Sequence, residues 1–119
     1  MAYVKAFNTQ IVKFIKELGV LHPENSDLKN LKNTIFLTTR ATPKTVMQVY
    51  RAHIYNPYNK YISTQDDKFF LDMDLSGTAL NDLDYIKTIW KDTSESNKEN
   101  IWKYLLVLNK LTEKNYNLS

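Results

Sequence analysis

Residues 97–111 read NKENIWKYLLVLNKL, and this stretch sets the fold class of the chain. Its large apolar residues recur every three or four positions, which is the period of one face of an α-helix. No other stripe in the sequence is as apolar, so we predict a long last helix near the centre of a helical domain. The members of the stripe are Ile101, Trp102, Leu105, Leu108 and Leu111.

The same period runs through most of the remaining chain. Apolar residues step by threes and fours over residues 4–18, 28–36, 46–54 and 80–90,. A chain of 119 residues fits one domain,. We therefore predict a single all-α domain over residues 1–119, a compact bundle of about five helices with short loops, in which residues 115–119 fray.

Local signals place the ends of these helices. Glycine can close a helix in the left-handed conformation, Ser and Thr cap helix starts, and proline disfavours helical geometry in the residue before it. The predicted boundaries are an end at Gly19, a start at Ser26, a start at Thr42-Pro43, an end near Asn56-Pro57, and a start capped by Ser94 or Ser96.

Composition excludes several classes of protein. The chain has no cysteine, which rules out disulfides, thiol catalysis and thiolate metal sites,. Lysines interrupt the apolar runs near the N-terminus, and no apolar window approaches membrane length, so we expect neither a signal peptide nor a membrane protein. An intracellular location is the expectation that follows.

Charge is unevenly distributed along the chain. The net charge is +3, but residues 1–60 hold nine Lys/Arg and three acids, which leaves +6 for the first half and −3 for the second. Most of the negative charge lies in residues 66–84, where six aspartates accompany Lys68. A basic part and an acidic part suit docking to a charged partner, and a lysine-rich solvated surface is the alternative explanation.

The stretch FFLDMDLSGTALNDLD, residues 69–84, resembles a calcium loop. Asp72, Asp74, Ser76 and Gly77 fill its first, third, fifth and sixth places,. The twelfth place, which needs a bidentate carboxylate, is Leu83. We therefore predict an acidic turn before a helix and no metal or cofactor, and Asp72, Asp74 and Ser76 form a weak calcium candidate.

Signals for catalysis are sparse. Asp72-x-Asp74 also resembles the nucleophile motif of aspartate-based phosphatases, but that chemistry requires an α/β sheet that this sequence does not predict. His22 lies in a loop, and the helical period places His53 on the apolar side of the third helix. The two glycines make no phosphate-binding loop,. We expect a protein that is not an enzyme.

Two binding hypotheses remain. The first is a protein interface formed by Tyr50, Tyr55, Tyr58 and Tyr61, together with any exposed member of Phe69, Phe70, Trp90 and Trp102, because interfaces favour large aromatic residues,. Its partner would be another protein or a second copy in a homodimer. The same tyrosines could instead seal the edge of a core, or stack on nucleobases.

The second hypothesis is nucleic-acid binding by a basic helix in a helix-turn-helix-like arrangement around Thr42–Ile54. Lys44, Gln48 and Arg51 fall on one polar side of that helix, and Gln and Arg are residue types that contact base edges,. The modest net charge and the acidic second half weaken this hypothesis.

Several segments resemble the short, uncharacterised helical proteins of large nucleocytoplasmic DNA viruses. The likeness covers most of the chain and is most specific in DDKFFL and NIWKYL; the other segments are FIKEL, HPENSDL and ATPKTVMQVY. The resemblance implies a viral interaction protein with a viral or host partner, located in the host cytoplasm, a virus factory or the virion. It carries no assigned functional residue.

Overall fold

The computed structural model describes residues 2–118, and the regular structure in that part of the chain is all helical. This confirms the predicted fold class, with six helices in place of about five. They are α1 (Ala2–Leu21), α2 (Ser26–Ala41), α3 (successive segments Thr45–Tyr50, Arg51–Tyr55 and Asn56–Ser63), α4 (Lys68–Asp72), α5 (successive segments Asn81–Asp84, Tyr85–Ile89 and Trp90–Asp92) and α6 (Glu95–Leu118).

The core forms where α1 packs against both α2 and α6. The apolar stripe of α1 is fully buried from Val4 to Leu18. In α6, Ile101, Trp102 and Leu108 are buried as predicted, while Leu111 is half-buried. Because α1 has large neighbours on two sides, the central position belongs to α1 as much as to α6.

The starts of α2, α3 and α6 are set by different local contacts. Asn25, and not Ser26, caps α2, because its Oδ1 accepts hydrogen bonds from the amides of Asp27 and Leu28,. Thr42 ends α2 instead of capping α3, and its amide donates to the Thr38 carbonyl at 2.8 Å. Of the two caps predicted for α6, Ser94 or Ser96, the structure has Ser94, since its Oγ accepts from the Asn97 amide at 3.2 Å.

The predicted end of α3 near Asn56-Pro57 is wrong, because the helix continues to Ser63. Arg51–Tyr55 is a π-helical segment, and the Asn56 amide donates to the Arg51 carbonyl five residues earlier. The wider turn lies immediately before Pro57, which has no amide to donate and would clash in a regular α-helix. The register change also leaves His53 exposed, contrary to its predicted place on the apolar side.

The last helix extends through the residues predicted to fray. α6 is helical to Leu118, and Ser119 lies outside the described residues. Near this end the Arg51 guanidinium lies 4.8 Å from the centre of the Tyr116 ring. This cation–π contact joins the end of α6 to α3, and the fraying of residues 115–119 stays a prediction,.

The two glycines should respond oppositely to alanine. Gly19 lies within α1 and does not end it, and an added Cβ would make ordinary contact with Leu28 at 4.0 Å. Gly77 has φ +77° with nothing within 4 Å of an added Cβ, so backbone strain alone would act there,. We expect Gly19→Ala to stabilise and Gly77→Ala to destabilise the protein, each by about 0.5–1 kcal/mol, in urea denaturation. Equal effects of the two changes would contradict these backbone assignments.

Candidate functional site

The prediction that Tyr50 binds a partner is wrong, because its side chain is completely buried. Its hydroxyl donates a hydrogen bond to Oδ1 of Asn109 on α6. Its ring meets Phe7 of α1 edge-on, with 5.3 Å between centroids. Burial also raises the pKa of Tyr50 well above its usual value. The residue joins three helices in the core and offers nothing to a partner.

The other three tyrosines lie half-buried along the edge of the core. The rings of Tyr58 and Tyr61 stack at 6.4 Å, and Tyr58 meets Phe69 edge-on at 5.5 Å. The Tyr58 hydroxyl donates to the Asp72 carbonyl at 3.0 Å. These contacts have the geometry of residues that seal a core, and partner binding by Tyr55, Tyr58 and Tyr61 stays a prediction.

The remaining aromatic candidates are all buried and cannot serve as exposed anchors. Phe70 stacks on Trp90 at 3.8 Å and meets Trp102 edge-on at 5.1 Å. Phe69 packs against Phe70 at 4.9 Å. The four residues form one aromatic cluster that joins α4 and α5 to α6.

The carboxylates of Asp74 and Asp84 accept hydrogen bonds from groups of the loop that follows α4. Oδ1 of Asp74 accepts from the amide and hydroxyl of Ser76 at 3.0 and 2.6 Å, and these bonds lower the pKa of Asp74. Both carboxylate oxygens of Asp84 accept from the Leu75 amide at 3.1 and 3.0 Å. Leu83 is buried, as the apolar stripe predicted. Asp72 is exposed, and no group of three His, Cys, Asp or Glu in the described part of the chain could hold a metal.

The residues of the nucleic-acid hypothesis lie in the first part of α3 or just before it, but they differ in exposure. Lys44 precedes α3 and Gln48 lies one turn into it, and both are exposed. The Arg51 side chain is half-buried, with its guanidinium over Tyr116. Two of the three side chains can therefore reach a ligand without rearrangement.

A small polar cluster fixes the connection between α1 and α2. Nδ1 of His22 lies 3.3 Å from Oε1 of Glu24, and the Tyr85 hydroxyl donates to the same oxygen at 3.2 Å. A backbone hydrogen bond, together with these two partners, lowers the pKa of Glu24. The rings of His22 and Tyr85 are in edge contact at 5.4 Å. This cluster holds the connection against α5 and leaves the last residues of α1 projecting beside it.

Those last residues of α1 form an exposed apolar pair. Val20 is 71% exposed and Leu21 is 45% exposed. Between α1 and α6 both residues line a cavity of about 370 Å³, whose other walls include Phe14, Ile101 and Tyr104. Leu21 also lines a polar cavity of about 490 Å³ toward α5. We call the area around Lys16, Val20 and Leu21 the α1-end surface.

On its other side, the α1-end surface continues into a groove between α1 and α2. This groove has a volume of about 330 Å³, and Val20 and Leu28 contribute to its walls. Lys16, Lys29 and Lys32 also line it, and no acidic residue does. We call it the lysine groove. The ion pairs found among the described residues, His22–Glu24 and Glu95–Lys98, do not involve these lysines.

Tyr104, in the wall of the first cavity, gives this region a measurable pH dependence. Burial, together with a hydrogen bond to Glu17 and the charge of that carboxylate, raises the pKa of Tyr104 to about 12. In the unfolded chain a tyrosine has its usual pKa of 10.0. Between pH 10 and about 12 the unfolded chain therefore releases a proton that the folded protein keeps,. Stability from this group is therefore complete below pH 10 and is lost as pH rises through about 12.

We expect Tyr104→Phe to flatten the loss of stability at high pH. The variant cannot ionise at this position, so its urea midpoint should fall less than that of the wild type as pH rises from 10 toward about 12,. Urea denaturation followed by circular dichroism at closely spaced pH values measures this. Parallel curves for the two proteins would contradict the assigned environment of Tyr104.

The comparisons with known proteins indicate no family or function for this chain. The chain matches no protein-family model, no curated protein and no solved structure. The viral resemblance therefore stays a prediction. None of the helices in the described residues combines the length and apolar character needed to cross a bilayer.

Sequence reasoning missed Val20 and Leu21 because it ended α1 at Gly19. With the helix running to Leu21, the two residues follow the buried Leu18 and fall partly outside the stripe. The available signal was two adjacent apolar residues in a stretch assigned to a connection, where polar residues are usual. Adjacent apolar residues in such a stretch can mark an interaction surface.

Proposed function

We propose that this protein is a non-catalytic interaction module that binds an acidic protein partner through the α1-end surface. The observation that supports it is the combination of exposed Val20 and Leu21 with a lysine-lined groove beside them. Apolar residues that project from a helix end supply affinity, and surrounding cations select a partner of opposite charge. The partner would be a viral or host protein if the resemblance to viral proteins holds.

Site-specific crosslinking tests which surface binds. A photo-crosslinking residue is placed at Val20 and, in a control protein, at Leu37, which is 65% exposed on α2 and lines none of the cavities described above. In an extract of cells that naturally make the protein, we expect one discrete crosslinked protein from position 20 and none from position 37. The adduct should disappear in a Lys29→Glu/Lys32→Glu background. Adducts of equal yield from both positions would contradict the proposal.

Nucleic-acid binding is the competing function, and the exposure of Lys44 and Gln48 keeps it testable. A protein that binds through such contacts loses affinity steeply as salt rises. Titration of labelled duplex and single-stranded DNA separates the two functions, with Lys44→Glu as the variant and Lys103→Glu, at an exposed position of α6, as a matched control. Salt-sensitive binding that Lys44→Glu abolishes would favour the nucleic-acid function.

A further inference from the structure

The acidic part of the chain contains a segment whose chemistry complements the lysine groove. Leu71 on α4 is 75% exposed, the highest value among the exposed large apolar side chains of the described residues. The exposed residues Asp67, Asp72 and Asp74 lie close to it in sequence, with Lys68 as the cation of the segment. We call residues 67–74 the acidic tip.

The carboxylates of Asp67 and Asp72 and the Leu71 side chain are not used to hold the fold together. Asp67 precedes α4 without a capping hydrogen bond from its side chain. Asp72 contributes its backbone carbonyl to Tyr58, which leaves its exposed carboxylate at the surface. Phe69 and Phe70 point the other way and are buried, so they anchor α4 while Leu71 projects. The tip is therefore an exposed apolar side chain, flanked by carboxylates, on a firmly attached helix.

We propose that the acidic tip of one copy docks in the lysine groove of a second copy. This inference rests on the proposed function, since it names the occupant of part of the same surface. Leu71 would cover Val20 and the apolar wall of the groove at Leu28. Asp67 and Asp72 would face Lys29 and Lys32, which lie one turn apart on α2. Self-association thus uses the unequal charge of the two halves of the chain.

The contact would be weak and sensitive to salt. One apolar side chain and a few exposed ion pairs bury little area, so the associated form should appear mainly at high protein concentration. Raising the salt from about 0.05 M to about 0.5 M shortens the screening length to a few ångströms and should weaken association several-fold.

Sedimentation equilibrium over a range of protein concentrations tests the contact. We expect the wild type to associate reversibly. A groove variant, Lys29→Glu/Lys32→Glu, and a tip variant, Asp67→Lys/Asp72→Lys, should each raise the dissociation constant by about tenfold or more. Leu37→Asp, at an exposed position of α2 outside the groove, should leave the dissociation constant unchanged. Circular dichroism of each variant checks that the helical fold is kept.

Mixing the two charge-reversed variants gives the decisive comparison. The native tip of the groove variant fits the native groove of the tip variant, and the two reversed surfaces also complement each other. We therefore expect the mixture to associate although neither protein does so alone. A wild type that stays monomeric at every concentration, or a mixture that stays monomeric, would overturn self-docking. Neither result would contradict the proposed function, because photo-crosslinking from position 20 tests that function separately.

Discussion

Phe70→Ala is expected to lower the free energy of unfolding by about 3–5 kcal/mol, the largest effect of any change considered for this protein. Phe70 is 3% exposed and occupies the middle of the aromatic cluster. Its ring stacks on Trp90 and meets Trp102 and Phe69 edge-on. Removing it leaves a cavity among rigid rings that cannot easily move together to fill it.

The neighbouring residue supplies a matched control for this change. Leu71→Ala also shortens a large apolar side chain in α4, but at an exposed position it should change stability by less than about 0.5 kcal/mol. Urea denaturation followed by tryptophan fluorescence reports directly on Trp90 and Trp102. If Phe70→Ala prevents folding, Phe70→Leu leaves a smaller cavity and should fall between the two. Similar losses for Phe70→Leu and Leu71→Ala would contradict the central role of Phe70.

Most of the helices could be predicted because burial follows a local period. An amphipathic helix must turn its apolar stripe toward other helices, so the spacing within residues 4–18 or 97–111 already determines which side is buried. The structure buries Val4, Phe14, Ile101 and Leu108 accordingly. Packing among the helices does not alter that local preference.

Helix boundaries could not be predicted where the backbone departs from regular α-helical geometry. The continuation of α3 through Pro57 depends on a π-helical segment that spreads the register change over five residues. A rule about proline in regular α-helices does not foresee this wider turn. The contact of Tyr116 on α6 with Arg51 on α3 is likewise not visible in the local sequence.

The residues of the candidate site also differ from those predicted. The helical period placed Tyr50 on the buried side of α3, and its aromatic character suggested an interface, but both roles cannot hold for one residue. The structure decides for burial. Val20 and Leu21, in contrast, were assigned to a connection, whereas they form the exposed end of α1 beside the cluster of His22, Glu24 and Tyr85.

The buried hydrogen bond between Tyr50 and Asn109 should produce the second largest effect. Tyr50→Phe leaves Oδ1 of Asn109 without its donor at a position that is 5% exposed. A buried polar atom that loses its partner costs about 1–3 kcal/mol. Asn109→Leu should cost a similar amount, because the Tyr50 hydroxyl then retains only a long contact of 3.5 Å to the Leu105 carbonyl, while Asn59 loses its donor.

The double variant Tyr50→Phe/Asn109→Leu distinguishes a polar bridge from simple packing. Replacing both partners by apolar groups removes the Tyr50 hydroxyl and Oδ1 of Asn109 together with their bond, while the loss at Asn59 is the same in both proteins that carry Asn109→Leu. The double variant should therefore be more stable than the sum of the single losses predicts. Urea denaturation of the four proteins gives the coupling energy, for which we expect about 1–3 kcal/mol. Tyr58→Phe is the control: its hydroxyl donates to a carbonyl at the exposed edge, where water can replace it. Additive losses would mean that Tyr50 contributes through its ring alone, and that α3 and α6 are held together without the buried hydrogen bond.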